Sequence, residues 1–402
     1  MTHPRFTGSF TQQPAIPQAG ITAALAVLQS GRLHRYNIAP GEEPEAMALE
    51  QEYADWQGAK YCLALASGGQ AMQIALRASG VQPGCKVLTN AFTLAPVPGA
   101  VAAVGATSVL VEITEDLVID LDDLAVKAIN SGARHLLLSN MRGHLCDMVA
   151  LMALADRLGL TVIEDCAHTM GASWAGRKSG NFGLAGCFST QTYKHMNSGE
   201  GGLLTSDDAE FMARAIMLSG SYMLYARHGA APDPSVFADI RLDTPNMSAR
   251  MDNLRAAVLR PQLAMLDVTI GEWNARHDRV AQALAQHPTI RMAHRPTQEN
   301  YVGSSLQFRI PGLNGASALQ FIANLAARGV EVKWFGAAEP VAFTSAHQSW
   351  RFLAQQDLPQ TDRILAALFD MRLPLTFTLD DCDLIAQHIL QAADDLHQGD
   401  AA

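Results

Sequence analysis

Between about residues 60 and 205, short aliphatic and β-branched runs alternate with stretches of helical periodicity. A chain patterned in this way buries its strands on both faces and returns through helices, so it closes into a mostly parallel sheet covered on both sides. Strands are expected at 61–66, 86–90, 107–113, 135–139, 161–164, 186–189 and 202–205. Between them lie amphipathic stretches such as 69–79, where Ala71, Ile74, Ala75 and Ala78 recur at the spacing of one buried helix face.

The alternation stops near residue 245, after an irregular stretch at 226–248 rich in Pro, Asp and Ala. A helix over 250–286, a strand at 305–310, a helix at 317–328, a strand at 330–334 and a closing helix at 380–396 follow. That order predicts a smaller α+β unit. The expected division is therefore an arm with one helix (1–40, helix at 18–30), a large α/β domain (41–245) and a small C-terminal α+β domain (246–402). With 402 residues, 49% of them apolar, the chain can build more than one core. Its apolar runs fall well short of the roughly 20 residues that span a bilayer. The first residues lack a basic segment followed by an apolar run, and the expected compartment is the cytoplasm. The six cysteines are scattered without CxxC spacing, which points to neither a zinc site nor a disulfide framework. A net charge of −10 with no basic tract speaks against a nucleic-acid partner.

Three segments carry chemistry. Ser67-Gly68-Gly69-Gln70 follows an expected strand and opens an expected helix, where small residues and free N–H groups favour a phosphate. Read alone, it is an ordinary capped turn. The run Val162 to Asp165 is an apolar strand that delivers an acid at its carboxyl end, where ligands of open α/β sheets bind. A carboxylate there can hold a pyridine nitrogen protonated, and His168 can donate to a ring oxygen. The third segment runs from Cys187 through Ser189 and Lys194 to Gly199-Glu200-Gly201-Gly202. A lysine held in such a loop, away from bulk water, has a lowered pKa and a free amine able to form an imine. Phosphate turn, then acid, then Ser and Lys about thirty residues later, all at expected strand ends, make a set able to bind pyridoxal 5'-phosphate (PLP) as a Schiff base on Lys194.

In series, these segments resemble the DegT/DnrJ/EryC1/StrS family of PLP-dependent sugar aminotransferases. The likeness runs from Gln12-Gln13-Pro14 and Arg32 to Tyr36, through Gly143 to Met148, to Arg250-Met251 and Leu373-Pro374-Leu375. It implies an aspartate-aminotransferase type fold (fold type I), with Lys194 and Asp165 catalytic and Ser67, Gly68, Gly69, Ser189 and His168 on the cofactor. It also implies a homodimer with shared active sites, to which Asn246 or Ser248 contributes across the interface. Where relatives place a residue that stacks on the ring, this chain offers Phe92 or Leu94. The usual Tyr-Pro-x-Pro-Leu-His segment is replaced by Trp334 to Pro340, and the stretch Gly303 to Phe308 is also atypical. The implied reaction moves an amino group from L-glutamate or L-glutamine to a keto sugar, nucleotide-linked, or a keto-cyclitol, by ping-pong chemistry. A sugar dehydratase on the same fold is the rival, but those relatives typically carry histidine in place of the lysine. A non-catalytic regulator that keeps the fold is the other. The basic and aromatic residues Arg32, His34, Arg35 and Tyr36, and the loop Arg227-His228-Gly229, are candidates for reaching the acceptor.

Overall fold

In the computed structural model, which describes residues 3–342 and 346–399, the chain is organised around two main sheets, beside a small three-stranded one in the order Glu299–Asn300, Ser173–Trp174, Arg177–Lys178. The larger has seven strands in the order Tyr61–Leu65, Gly202–Ser206, Ala185–Ser189, Thr161–Asp165, His135–Ser139, Lys86–Asn90, Thr107–Val111. The last five in that order pair in parallel, while Gly202–Ser206 runs antiparallel to both of its neighbours. Side chains alternate between faces along each strand. Leu63, Leu65, Leu137 and Ile163 enter a core shared with the helices Gly68–Ala78 and Ala209–Ser219. Leu136, Leu138 and Val162 face the helices Leu121–Ser131 and Met148–Leu158. The sheet is thus covered on both sides, as its continuous apolar strands require.

The second sheet is antiparallel, in the order Arg291–Met292, Ser305–Arg309, Leu368–Arg372, Lys333–Trp334, and packs against the helices Gly315–Ala327 and Leu379–Gly399. A 32-residue helix, Asn253–Leu284, joins the sheets, and its buried residues enter three cores in turn: Leu259 and Leu263, then Trp273, then Val280 and Leu284. It starts three residues later than its periodicity predicts, because the Asp252 side chain caps it by accepting from Arg255 N. Of the strand expected at 330–334 only Lys333–Trp334 pairs, although Val330 and Val332 are buried. The start of the arm is tied to the second sheet: Phe6 and Phe10 are buried edge-on against Phe377, and Phe6 N donates to Arg328 O. Among the described residues no helix is long and apolar enough to cross a membrane.

Candidate active site

Three neighbouring parallel strands end at one edge of the large sheet, at Ser139, Asp165 and Ser189. That carboxyl edge is where an open parallel sheet leaves a crevice. The strand order thereby gathers side chains that lie up to fifty residues apart in the chain. Asp165 and Ser189 line a cavity of about 370 Å³, together with Ser67, Gly68, Gly69, Leu94, Arg142, His168, Tyr193, Lys194 and Arg372, while Ser139 stands behind Asp165.

The helix Gly68–Ala78 aims its start at this edge, capped by Ser67, whose hydroxyl accepts from Gln70 N at 3.1 Å. The remaining N–H groups of its first turn have no partner within the helix and carry the positive end of its dipole. Two glycines let it sit so close. A Cβ on Gly68 would lie 2.8 Å from Ser189 Cβ, and one on Gly202 would lie 2.4 Å from the Ser67 carbonyl carbon. The result is an anion cradle bounded by a helix start and a hydroxyl.

Asp165 is buried, and its two oxygens are held: Oδ1 accepts from Ala167 N at 3.1 Å, and Oδ2 from Ser139 Oγ at 3.1 Å, itself bonded to Thr93 Oγ1 at 2.7 Å. Burial raises its pKa, opposed by the Ala167 N–H, Lys194 and Ser139. A cation brought to this carboxylate would relieve that desolvation. His168 Nδ1 accepts from Arg142 N at 3.0 Å, which leaves the ring proton on Nε2, in contact with the Lys194 amine. Burial, then the neighbouring cations Lys194 and Arg142, hold His168 well below the usual histidine range, so it stands neutral with one N–H directed at the amine.

Lys194 sits in the loop after Ser189, its stem partly open to the cavity and its amine enclosed. Its backbone N–H donates to Gln191 O at 2.8 Å, and Thr190 and Ser198 close the loop around it, so the side chain has a fixed origin. Burial first, then Arg142, push its pKa down to about 7. His195, next in sequence, points elsewhere: it is buried against Trp273, bonds to Ser304 Oγ at 3.1 Å, and burial pushes its pKa down to about 3.

Other expected positions fall outside the cavity. Phe92 is 1% exposed and packs edge-on to Phe335, so it is withdrawn into a core while Leu94 faces the cavity. Asn246 and Ser248 are exposed and bonded to each other, away from this chain's own cavity. The basic segment at 32–36 does not reach out as expected. Arg35 is buried and bidentate to buried Glu50 at 2.9 and 2.8 Å, His228 Nδ1 lies 3.2 Å from the same carboxylate, and Tyr36 OH lies 2.8 Å from His228 Nε2. Arg32 pairs with Glu42 at 2.9 Å. Burial makes Arg35, Tyr36, Glu50 and His228 bond to one another, so this part of the segment and the loop at 227–229 lock together structurally.

Sequence reasoning missed Ser139, Arg142, Tyr193 and Arg372, all of which border the site. Two carried a readable signal: Ser139 closes an expected strand on the ligand-binding edge, and Arg142 precedes the Gly143 motif.

The cavity has the parts that PLP needs: an anion cradle that any Cβ at Gly68 or Gly202 would disturb, a buried acid, and a buried amine whose pKa is lowered to about 7. Comparison with known proteins agrees with that fit. The chain is 36% identical over 269 residues to dTDP-3-amino-3,4,6-trideoxy-alpha-D-glucose transaminase of Streptomyces venezuelae, covering 66% of this chain and 64% of that one. It is 31% identical over 320 residues to L-glutamine:scyllo-inosose aminotransferase of Streptomyces griseus, covering 78% and 70%. Thus the match spans slightly less than two thirds of the first relative's length and slightly more of the second's. Among solved structures, S. venezuelae DesV in complex with a ketimine intermediate superposes with a TM-score of 0.78 at 27% identity, over 93% of this chain and 94% of that one. The fold is the expected fold type I of the PLP aminotransferases. A family model, that of the DegT/DnrJ/EryC1/StrS aminotransferases, matches residues 17–390 and so takes in both sheets and every wall of the cavity; the chain belongs to that family.

Proposed function

We propose that the protein is a PLP-dependent aminotransferase that takes an amino group from L-glutamate or L-glutamine and delivers it to the keto group of a sugar or cyclitol, working as a homodimer. The observation that carries this reading is the Lys194 amine, enclosed beside Asp165 and His168 at the sheet edge with its pKa near 7. Gly68, Gly69 and Ser189, with the Ser67-capped helix start, would hold the cofactor phosphate, and Asp165 its ring nitrogen. When bound, PLP supplies an electrophilic carbon and a ring able to withdraw electrons from the substrate carbon.

The remaining work belongs to the chain. Lys194 anchors through its amine, and once released it can take the proton from the substrate α-carbon and return it elsewhere, which suits a base with a pKa near the working pH. Asp165, oriented by Ala167 N and Ser139 Oγ, keeps its negative charge aimed into the cavity. His168, its tautomer set by Arg142 N, offers one donor and no charge. Leu94, Met141 and Val97 exclude water from the same space.

The test is spectroscopic. Purified protein with PLP should be yellow and bleach on addition of L-glutamate or L-glutamine, and a keto-sugar or keto-cyclitol acceptor should restore the colour. Lys194→Ala should lose turnover by at least about a thousandfold, since it removes both anchor and base. A Lys194→Ala protein that cycles at the wild-type rate sinks the assignment.

A further inference from the structure

The amine and the acid account for part of the cavity wall; a second set of charges gathers where the small sheet meets a turn of the large one. Arg142 lies in the turn after strand His135–Ser139, at φ +55°, a conformation that residues with a Cβ rarely adopt. Its side chain is only 7% exposed, and Nη2 stands 2.8 Å from Asp370 Oδ2. Yet that pair is off the line of a hydrogen bond, and both Nε and Nη2 of Arg142 make none, so the guanidinium is charge-paired but its donors are unspent. Asp370 itself is held from the side by Gln307 Nε2 at 2.8 Å. Two residues on, and therefore on the same face of the strand, is Arg372. It stacks over the Tyr193 ring at 3.8 Å and hydrogen-bonds its hydroxyl. Lys333, the cross-strand partner of Asp370, adds a third cation against that one carboxylate.

Both arginines line the main cavity together with the phosphate cradle, and they also reach beyond it. A narrow recess continues from the main cavity past Lys194, bounded by Arg142, His168, Tyr193, Lys194, Ser304 and Arg372, and Ser67, Gly68, Gly69 and Ser189 take no part in it. Among the described residues no carboxylate lines this recess. A buried guanidinium with unspent donors is costly unless an anion completes it, and its planar fork matches a carboxylate.

We propose that Arg142 and Arg372 form a carboxylate-binding subsite beside Lys194, which holds a carboxylate of the amino donor or of the acceptor while the reacting carbon lies at the amine. This rests on the aminotransferase reading, and it narrows the substrates to acids at that step. Asp370 and Gln307 are positioning residues, fixing Arg142 without touching the ligand.

The probe is glutarate, a dicarboxylate with no amine or ketone to react, titrated calorimetrically into the PLP-loaded protein. Binding should weaken about ten- to a hundredfold in Arg142→Met and in Arg372→Gln, with Arg142→Lys recovering part of the loss. Should Arg142→Met fail to fold for want of a partner for Asp370, the half-buried Arg372 carries the test. Two arms identify the source of the carboxylate. If it is the donor's, Arg372→Gln raises the L-glutamate concentration that half-saturates bleaching and leaves the limiting rate; if it is the acceptor's, bleaching is unchanged and a keto-uronic acid loses its advantage over the neutral keto sugar. Either result supports the subsite. Glutarate that fails to bind the wild type, binds both variants equally well, or binds more weakly than inorganic phosphate overturns it. Absence of bleaching alongside arginine-dependent glutarate binding would instead overturn the aminotransferase reading and leave the subsite standing.

Discussion

Lys194 occupies a place that disfavours its own charge. Enclosure in protein is the main cause, the nearby Arg142 adds to it, and Asp165 only partly offsets them, so the amine is half neutral at about pH 7. The sign follows for a base: below that pH the amine is protonated and inert, above it the free amine accumulates. Competitive acetylation of the cofactor-free protein, with Lys194 followed by peptide mapping, should therefore rise through a midpoint near 7 and then level off. A midpoint near the ordinary lysine value of about 10.4 would show that the pocket does not tune the residue. In the sequence Asp165, Ser189 and the Gly68-Gly69 turn were legible at the ends of strands whose apolar pattern announced them, and Lys194 through its place in the loop that follows Ser189. Arg35 and His228 were misread for a physical reason. Basic residues in a segment of no clear periodicity look solvated, and only the fold brings Glu50 within 3.2 Å of both. Arg372 was illegible for a similar reason, because nothing in its neighbours tells that Tyr193 lies against it.

At the scale of elements, the cradle depends on how closely the strand Gly202–Ser206 approaches the start of the helix Gly68–Ala78. Gly202 meets backbone there, not a flexible side chain: its missing Cβ would lie 2.4 Å from both C and O of Ser67 and 2.6 Å from Gly68 N. Gly202→Ala must move the helix start away from the strand. The expected result is a stability loss of about 1–3 kcal/mol in denaturant melts and PLP binding weakened about tenfold or more in absorbance titrations. Gly199→Ala is the control. Gly199 has φ +79° with open space around it, so alanine there is strained by about 1–2 kcal/mol but leaves the cradle alone. Cofactor affinity untouched by Gly202→Ala would mean that the phosphate is held elsewhere. Elements of the large sheet were readable because each strand is apolar on both faces and each crossover helix has its own periodicity. The small sheet was less so. Arg291–Met292 and Lys333–Trp334 are two-residue strands that exist only through pairing with distant partners, Arg309 and Phe308 in one case, Asp370 and Phe369 in the other.

For the whole molecule, one chain leaves apolar surface uncovered. Ile21, Leu25 and Leu28 lie along one face of the helix Gln18–Ser30 at 40% to 51% exposure, and Tyr222, Met223 and Leu242 stand 56% to 77% exposed on the segment leading to Asn246 and Ser248. Exposed apolar groups of this kind mark surfaces that a partner covers, and a second copy of the chain is the partner that the proposed homodimer supplies. If Asn246 and Ser248 serve the neighbouring site, the two sets of site residues lie on different chains and can be separated genetically. A Lys194→Ala homodimer should then be inactive, and an Asn246→Ala/Ser248→Ala homodimer should bind PLP about ten times more weakly, the scale of one lost charge-assisted bond. In a mixed dimer one site receives Lys194 from the double variant together with Asn246 and Ser248 from the Lys194→Ala chain, so it is complete. Co-expressed and purified by two different tags, the heterodimer should recover about half of the wild-type activity per dimer at a PLP concentration that leaves the double variant largely empty. A heterodimer no more active than the double variant at that concentration would place Asn246 and Ser248 outside any shared site, and a protein that sediments as a monomer would remove the premise altogether.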